Sequence, residues 1–125
     1  MGWLIDTAIL IDHFRGTRKA TAFLSKTRKE ERLWISLISI AEIFAGRKMS
    51  EAVKNRKVRR LLRTFRTAYL DIKIAVLAGE ISRDYEVLLP DALIAATALR
   101  KDLTLASRNL NDFSRVPHLK VHSPY

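Results

Sequence analysis

Trp3-Leu4-Ile5-Asp6-Thr7 is an apolar stretch that stops abruptly on a carboxylate. Residues 3–6 have the length and composition of a short buried strand. From Thr7 to Arg15 the apolar residues Ala8, Ile9, Ile11 and Phe14 fall at helical spacing, and Gly16 ends the segment. A strand that runs through an acid into a helix is the opening half of a strand–helix–strand unit. The rest of the chain repeats that alternation. Lys19 to Lys29 reads as a helix carrying Ala20, Phe23 and Leu24; Leu33 to Leu37 as a strand; Ser39 to Ala45 as a helix ended by Gly46.

Further along, Ser50 to Arg66 has the pattern of a strongly amphipathic helix with Val53, Leu61, Leu62 and Phe65 on its apolar face. Ala68 to Ile72 follows as a short strand and Ile74 to Tyr85 as a helix. Pro90 opens another helix that runs through Leu99. Leu103 to Ala106 is predicted to be a strand, and Leu119 to His122 an edge strand stopped by Pro124. The pattern predicts an α/β fold of one domain over residues 1–125, with a central, mainly parallel sheet flanked by helices. In such folds the ligand crevice lies outside the carboxyl ends of the strands. Asp6, Glu42, Asn109 and Asp112 all follow strands, and Asp91 begins a helix that can face the same crevice.

Three of these acids lie in core-forming sequence. Glu42 stands within the otherwise apolar or small run Ile35 to Phe44, and Asp91 between Leu88-Leu89 and Ala92-Leu93-Ile94-Ala95-Ala96. Buried carboxylates are rare unless they are paired or bind a metal. Each acid also has a local explanation: Asp6 as an N-cap, Asp91 as a first-turn acid favoured by the helix dipole, Glu42 as the partner of Ser39 in a capping box. A helix cap has no reason to face a shared crevice, and the coincidence of all three favours a hard divalent cation. Asp12 reads as part of a solvated face. His13, His118 and His122 lack ligand spacing and read as surface residues.

The chain has 125 residues, 48% of them hydrophobic and 29% charged, which suits a soluble globular protein with a real core. It has no cysteine, excluding disulfides, thiol catalysis and thiolate zinc sites. No apolar run approaches the roughly 20 residues of a membrane span, and no basic n-region marks a signal peptide, so a cytoplasmic location is expected. Lys and Arg number 23 against 13 Asp and Glu, a formal charge of +10 that suits polyanionic partners. Within Ser50 to Arg66, Arg56, Arg59, Arg60, Arg63 and Arg66 recur at three- to four-residue steps with only Glu51 to balance them. Such a stripe suits phosphate-backbone contact with RNA.

Four segments together resemble a PIN-domain ribonuclease, most closely a VapC-type toxin. Leu4-Ile5-Asp6-Thr7 resembles the first motif of that family, and Ser36-Leu37-Ile38-Ser39-Ile40-Ala41-Glu42-Ile43-Phe44-Ala45-Gly46 the second. Pro90-Asp91-Ala92-Leu93-Ile94-Ala95-Ala96-Thr97-Ala98 is similar to the third. Leu105-Ala106-Ser107-Arg108-Asn109-Leu110-Asn111-Asp112-Phe113 is similar to the fourth. The chain departs from the pattern at Ser107, where Thr is commoner, and at Asn109, where some relatives have Asp. Arg100-Lys101-Asp102 lacks the Gly often found before the last strand, a change expected to touch a loop and not the chemistry.

The resemblance implies a PIN-like three-layer fold and a metal-dependent endoribonuclease, the toxin of a toxin–antitoxin pair. It also implies a VapB-type antitoxin as partner and a homodimer, for which Ile9, Phe14 and Phe23 are interface candidates. Asp6, Glu42 and Asp91 carry over as acidic-site positions. With Mg²⁺ or Mn²⁺ as cofactor, Asp6 and Asp91 are expected to ligate the ion, and Glu42 to act through a water. Asn109 and Asp112 complete the site, supported by the hydroxyls of Thr7 and Ser107. The rival expectation is a non-catalytic basic RNA-binding protein whose acids are helix caps, or a module that meets an acidic protein.

Overall fold

In a computed structural model that describes residues 2–125, five strands form one parallel sheet in the order β3-β2-β1-β4-β5. The elements are β1 (Gly2–Ile5), α1 (Thr7–Phe14), α2 (Arg18–Glu30), β2 (Arg32–Ser36), α3 (Leu37–Phe44), α4 (Ala52–Leu62), β3 (Arg66–Ala68), α5 (Ile72–Tyr85), α6 (Leu89–Lys101), β4 (Thr104–Ala106), α7 (Leu110–Phe113) and β5 (Val121–His122). A single 3₁₀ turn, Arg47–Ser50, joins α3 to α4. The sheet expected to be mainly parallel is parallel in every pairing.

Strand periodicity divides the apolar residues between the two faces. Leu4 and Leu105 turn to one face, where α5 and α6 cover them with Ile74, Ala78, Ile81, Ile94, Ala95 and Ala98. Ile5, Leu33, Ile35 and Ala106 turn to the other, against Ile9, Leu10, Ala20, Leu24 and Val58 of α1, α2 and α4. Helix, sheet and helix thus form three layers. α3 stands where β2 ends and bridges them: Ile38 packs into the first layer, Ile40 and Phe44 into the second.

The strand order fixes the crevice. From β1 the chain moves outward through β2 to β3, then returns to the far side of β1 for β4 and β5. Beyond the carboxyl ends of β1 and β4 the connections diverge, and ligands bind at such reversal points. Asp6 is the residue after β1 and Ser107 the residue after β4.

Several expected boundaries shift, each for a local reason. α3 begins at Leu37, not Ser39, because the Ser36 hydroxyl accepts from the Ile38 N–H at 3.1 Å and caps the helix. The basic helix is shorter at both ends. It ends at Leu62 because the buried Phe65 draws the chain back to the sheet, and the Thr64 hydroxyl and N–H both turn onto the Leu61 carbonyl. β3 accordingly starts at Arg66, two residues before the predicted strand. Val53, expected on the apolar face, is 59% exposed, and Val58 is the α4 residue that is buried. α7 was not foreseen. Asp102, in the place of the missing Gly, takes a left-handed φ of 52° as the C-cap of α6.

Candidate active site

The four predicted segments meet at the carboxyl edge of β1 and β4. Asp6 is buried there, and both of its oxygens are engaged. Oδ1 accepts from the Thr7 N–H at 2.9 Å, and Oδ2 from the Ser107 hydroxyl at 2.7 Å. The Ser107 oxygen in turn accepts the Asn109 N–H at 2.9 Å. Each carboxylate oxygen keeps a further lone pair. Asp6 therefore does cap α1, as the local explanation held, but it is also fixed from across the sheet by β4.

Glu42 has a different anchor from the one its spacing suggested. Ser39 is not an N-cap, so no capping box forms. Ser39 and Glu42 instead both meet the Thr7 hydroxyl, at 2.8 Å and 2.7 Å. Thr7 has one proton, and a carboxylate only accepts. The chemistry thus requires Thr7 to donate to Glu42 Oε1 and Ser39 to donate to Thr7. This chain of hydroxyls ties α3 to α1 and leaves Glu42 Oε2 facing solvent.

Asp91 lies in the first turn of α6, which has no side-chain cap because the N-cap Leu88 carries no hydrogen-bonding group. Burial, then the charges of Asp6, Glu42 and Asp112, push its carboxyl up to about 6. Asp6 is also raised, chiefly by burial and further by Glu42, against the lowering effect of its Ser107 and Thr7 hydrogen bonds. Asp91 therefore feels the charges of Asp6 and Glu42, and Asp6 feels that of Glu42. None of the three forms an ion pair among the described residues. Nor do any three His, Cys, Asp or Glu side chains among those residues stand close enough to enclose an ion unaided.

Asp112 is of another kind. Its carboxylate accepts from Asn109 Nδ2 at 2.9 Å and pairs with Arg115. The Asn109 hydrogen bond, with the Arg115 pair, holds it below the usual carboxylate range. Arg115 also donates to the carbonyls of Tyr85 and Glu86. Asn109 and Asp112 therefore form a paired corner beside the site, whose charge still reaches Asp91.

Residues 3–119 match the PIN domain family. The chain belongs to that family. It is 39% identical over 122 residues to Ribonuclease VapC10 of Mycobacterium tuberculosis, covering 94% of this chain and 90% of the relative. Among solved structures it is similar to a toxin-antitoxin complex from Klebsiella pneumoniae, at 35% identity and a TM-score of 0.85, over 98% of this chain and 97% of the other. FitAcB from Neisseria gonorrhoeae superposes with a TM-score of 0.82 at 25% identity, over 98% and 97% of the chains. The PIN match includes Asp6, Glu42, Asp91, Asn109 and Asp112 and ends before β5 and Tyr125.

The arginines assigned to RNA divide once the PIN fold is in view. Arg56 and Arg60 are exposed on α4, and Arg63 caps its end. Arg59 lies 5.0 Å over the Phe44 ring and donates through Nε to Asn55. Arg66 does not belong to the stripe: it is in β3, with its guanidinium 5.6 Å over Trp34.

Other expectations also change. Ile9 is fully buried, and Phe14 and Phe23 pack against the α1–α2–α4 core, so Ile9 offers no interface. His13 is half-buried against the Thr21 hydroxyl, and burial lowers its pKa. His122 is exposed, as expected, with its ring centroid 5.4 Å from that of Trp3. Asp12 is not on a solvated face, because Arg108 and Tyr125 both bond to it. No spacing announces that last cluster, whose members come from α1, the loop after β4 and the segment after β5.

Proposed function

We propose that the protein is a metal-dependent endoribonuclease, the toxin of a VapBC-type toxin–antitoxin pair, that hydrolyses RNA phosphodiester bonds. The observation that carries the reading is a set of three carboxylates, Asp6, Glu42 and Asp91, that have no cationic partner among the described residues, with the Asp6 and Asp91 carboxyls both raised by burial and by neighbouring acids. Such an arrangement costs stability unless a cation is supplied from outside the chain. The donors are all oxygens and include no thiol, the set that suits Mg²⁺ or Mn²⁺. Two or three carboxylates with remaining positions left to water and phosphate match the way Mg²⁺ is usually held.

Asp6 and Asp91 are the proposed ligands. A bound ion would supply a water of lowered pKa and positive charge beside the phosphoryl oxygens. Ser107 and the Thr7 N–H keep Asp6 in one orientation, so its free lone pairs point in a fixed direction. Thr7 holds Glu42 by Oε1, which leaves Oε2 to orient a water and accept its proton. Asn109 steadies Ser107 through its N–H and Asp112 through its amide. Arg56, Arg60 and Arg63 are placed to draw in the RNA backbone.

The reading brings a VapB-type antitoxin as partner, in line with the similar toxin-antitoxin complex from Klebsiella pneumoniae. We also propose a homodimer. Its apolar contact falls on Ile72 and Val76 of α5 and on Leu88 and Leu89 ahead of Asp91, all more than half exposed. No helix among the described residues is long and apolar enough to cross a membrane. The site of action on this reading is the cytoplasm, where RNA is met.

The test is cleavage of single-stranded RNA with Mg²⁺ or Mn²⁺ by the wild type and by Asp6→Asn and Asp91→Asn. Cleavage that stops with EDTA and is lost in both variants supports the reading. Cleavage that survives EDTA and both substitutions would falsify it.

A further inference from the structure

Resting on the ribonuclease reading above, we propose that Arg108 grips a backbone phosphate flanking the cleaved bond, aimed by Asp12 and Tyr125 as positioning residues. Arg108 is the residue after Ser107, whose hydroxyl holds Asp6. Its Nη1 donates to Asp12 Oδ2 at 3.0 Å, and its guanidinium carbon lies 5.3 Å from the Tyr125 ring centroid. The Tyr125 hydroxyl donates to the same Asp12 oxygen at 2.8 Å. The Ser123 hydroxyl in turn holds the Tyr125 carbonyl at 3.1 Å.

Stability alone is a weak reason for this cluster. Arg108 is 53% exposed in its side chain, and ion pairs so placed contribute about 0–1 kcal/mol. What the cluster does accomplish is orientation. One edge of the guanidinium is fixed by Asp12 and one face is backed by an aromatic ring. Nη2 and Nε make no hydrogen bond within the described residues, so the planar fork has an open edge toward solvent. A bidentate phosphate fits that edge.

Electrostatics demands a cation here. Asp6, Glu42, Asp91 and Asp112 would repel an RNA backbone; Arg115 is taken by Asp112 and two carbonyls, and Arg15, Arg47 and Lys48 border Glu42 on the α3 side. Arg108 is the only basic residue from Leu103 to Ser114. Asp12 stands six residues beyond Asp6, about 9 Å along α1 at about 1.5 Å per residue, so Arg108 sits beside the cleaved bond and not on it. Past Tyr125 the surface opens into a cavity of about 580 Å³ lined by Trp3 and Phe23, where Lys19 and Lys26 outnumber Glu30. The cationic path therefore continues beyond the clasp.

Binding of a labelled single-stranded RNA in EDTA across a potassium chloride series tests the contact without cleavage. Arg108→Ala should weaken binding by roughly tenfold at low salt and flatten the log–log salt slope by about 0.7, the value for one phosphate on a single strand. Arg108→Lys should regain the slope but only part of the affinity. Tyr125→Phe should keep the slope and lose about threefold in affinity, since the charge remains but its aim is loosened. Arg100→Ala, at the opposite end of α6, should match the wild type. With Mn²⁺ present, Arg108→Ala should raise KM about tenfold with kcat within about twofold.

A wild-type slope and KM in Arg108→Ala overturn the phosphate contact, as does a wild type that binds no RNA. Wild-type affinity in Tyr125→Phe overturns its positioning role. If Arg108→Ala does not fold, Arg108→Lys and Tyr125→Phe decide, and full affinity in both overturns the proposal. A wild type that fails to cleave while Arg108→Ala still loses slope sinks the nuclease reading and leaves the phosphate contact standing.

Discussion

Asp91 and Asp112 lie close enough to feel each other's charge, yet they are pushed in opposite directions. Asp112 has Arg115 and the Asn109 amide beside it and sits below the usual range. Asp91 is partly buried among three other acids and rises to about 6. The same residue type is thus paired in one place and, on the proposed reading, left for an external cation in the other. Asp12, with Arg108 and Tyr125, belongs with Asp112. Asp6 belongs with Asp91. On the proposed reading, the acids that would meet the ion are set apart by what they lack, a cationic partner, more than by where they fall in the sequence.

The largest effect should come from breaking the unpaired set. Asp6→Asn and Asp91→Asn should each lower RNA cleavage by more than about a hundredfold, since even supporting groups around metal ligands are commonly worth 10–100-fold. Asp112→Asn, which spoils only the paired corner, should cost about tenfold or less in the same assay. Equal losses at Asp91 and Asp112 would erase the distinction. Next comes Ser107→Ala, which frees Asp6 Oδ2 and leaves the Asn109 N–H without its acceptor. A ten- to hundredfold fall in Mn²⁺-dependent rate is expected, with a stability loss of about 1–2 kcal/mol measured by urea unfolding.

Much of this was legible in the sequence, and the reasons are specific. Strand–acid–helix at Trp3 to Thr7 gave the parallel architecture, and the rule for crevices at strand ends brought Asp6 beside Ser107. The family resemblance also marked Arg100-Lys101-Asp102 as lacking a Gly, but it did not show that Asp102 itself takes the left-handed turn from α6 into β4. What stayed hidden were contacts between distant segments. Ser39 looked like a cap because its spacing to Glu42 fits one, but Ser36 lies one residue before the helix and takes that role. Arg66 looked helical because charge periodicity ran on past Leu62, whereas burial of Phe65 ended the helix. The pairing of Tyr125 with Asp12 spans 113 residues and leaves no local trace.

The pH dependence of the metal-free protein sharpens the comparison further. Folding raises the Asp91 pKa, so its contribution to stability is fully present below the unfolded value near 4 and is lost as pH rises through about 6. Because Asp91 is only partly buried, solvent screening reduces the full cost of the shift to about 1 kcal/mol. Urea unfolding in EDTA should therefore show wild type and Asp91→Asn alike at pH 4 and the variant about 1 kcal/mol more stable at pH 8. Asp112 has the opposite sign: its lowered pKa favours the folded state above the unfolded value and loses that benefit as acid protonates it. Asp112→Asn should accordingly be the less stable variant at pH 8. The smallest effect is expected at Asp102→Gly, which removes the strain of a left-handed φ for about 0.5–1 kcal/mol of added stability and leaves cleavage unchanged.

The most direct measurement of the central claim is the melting temperature at pH 7 with and without Mn²⁺, for wild type and Asp91→Asn. If the unpaired carboxylates await a cation, saturating Mn²⁺ should stabilise the wild type by about 2–3 kcal/mol, roughly 5–10 °C. Asp91→Asn should start higher and gain little. A wild type that does not respond to Mn²⁺, or a variant that gains as much as the wild type, would contradict the account.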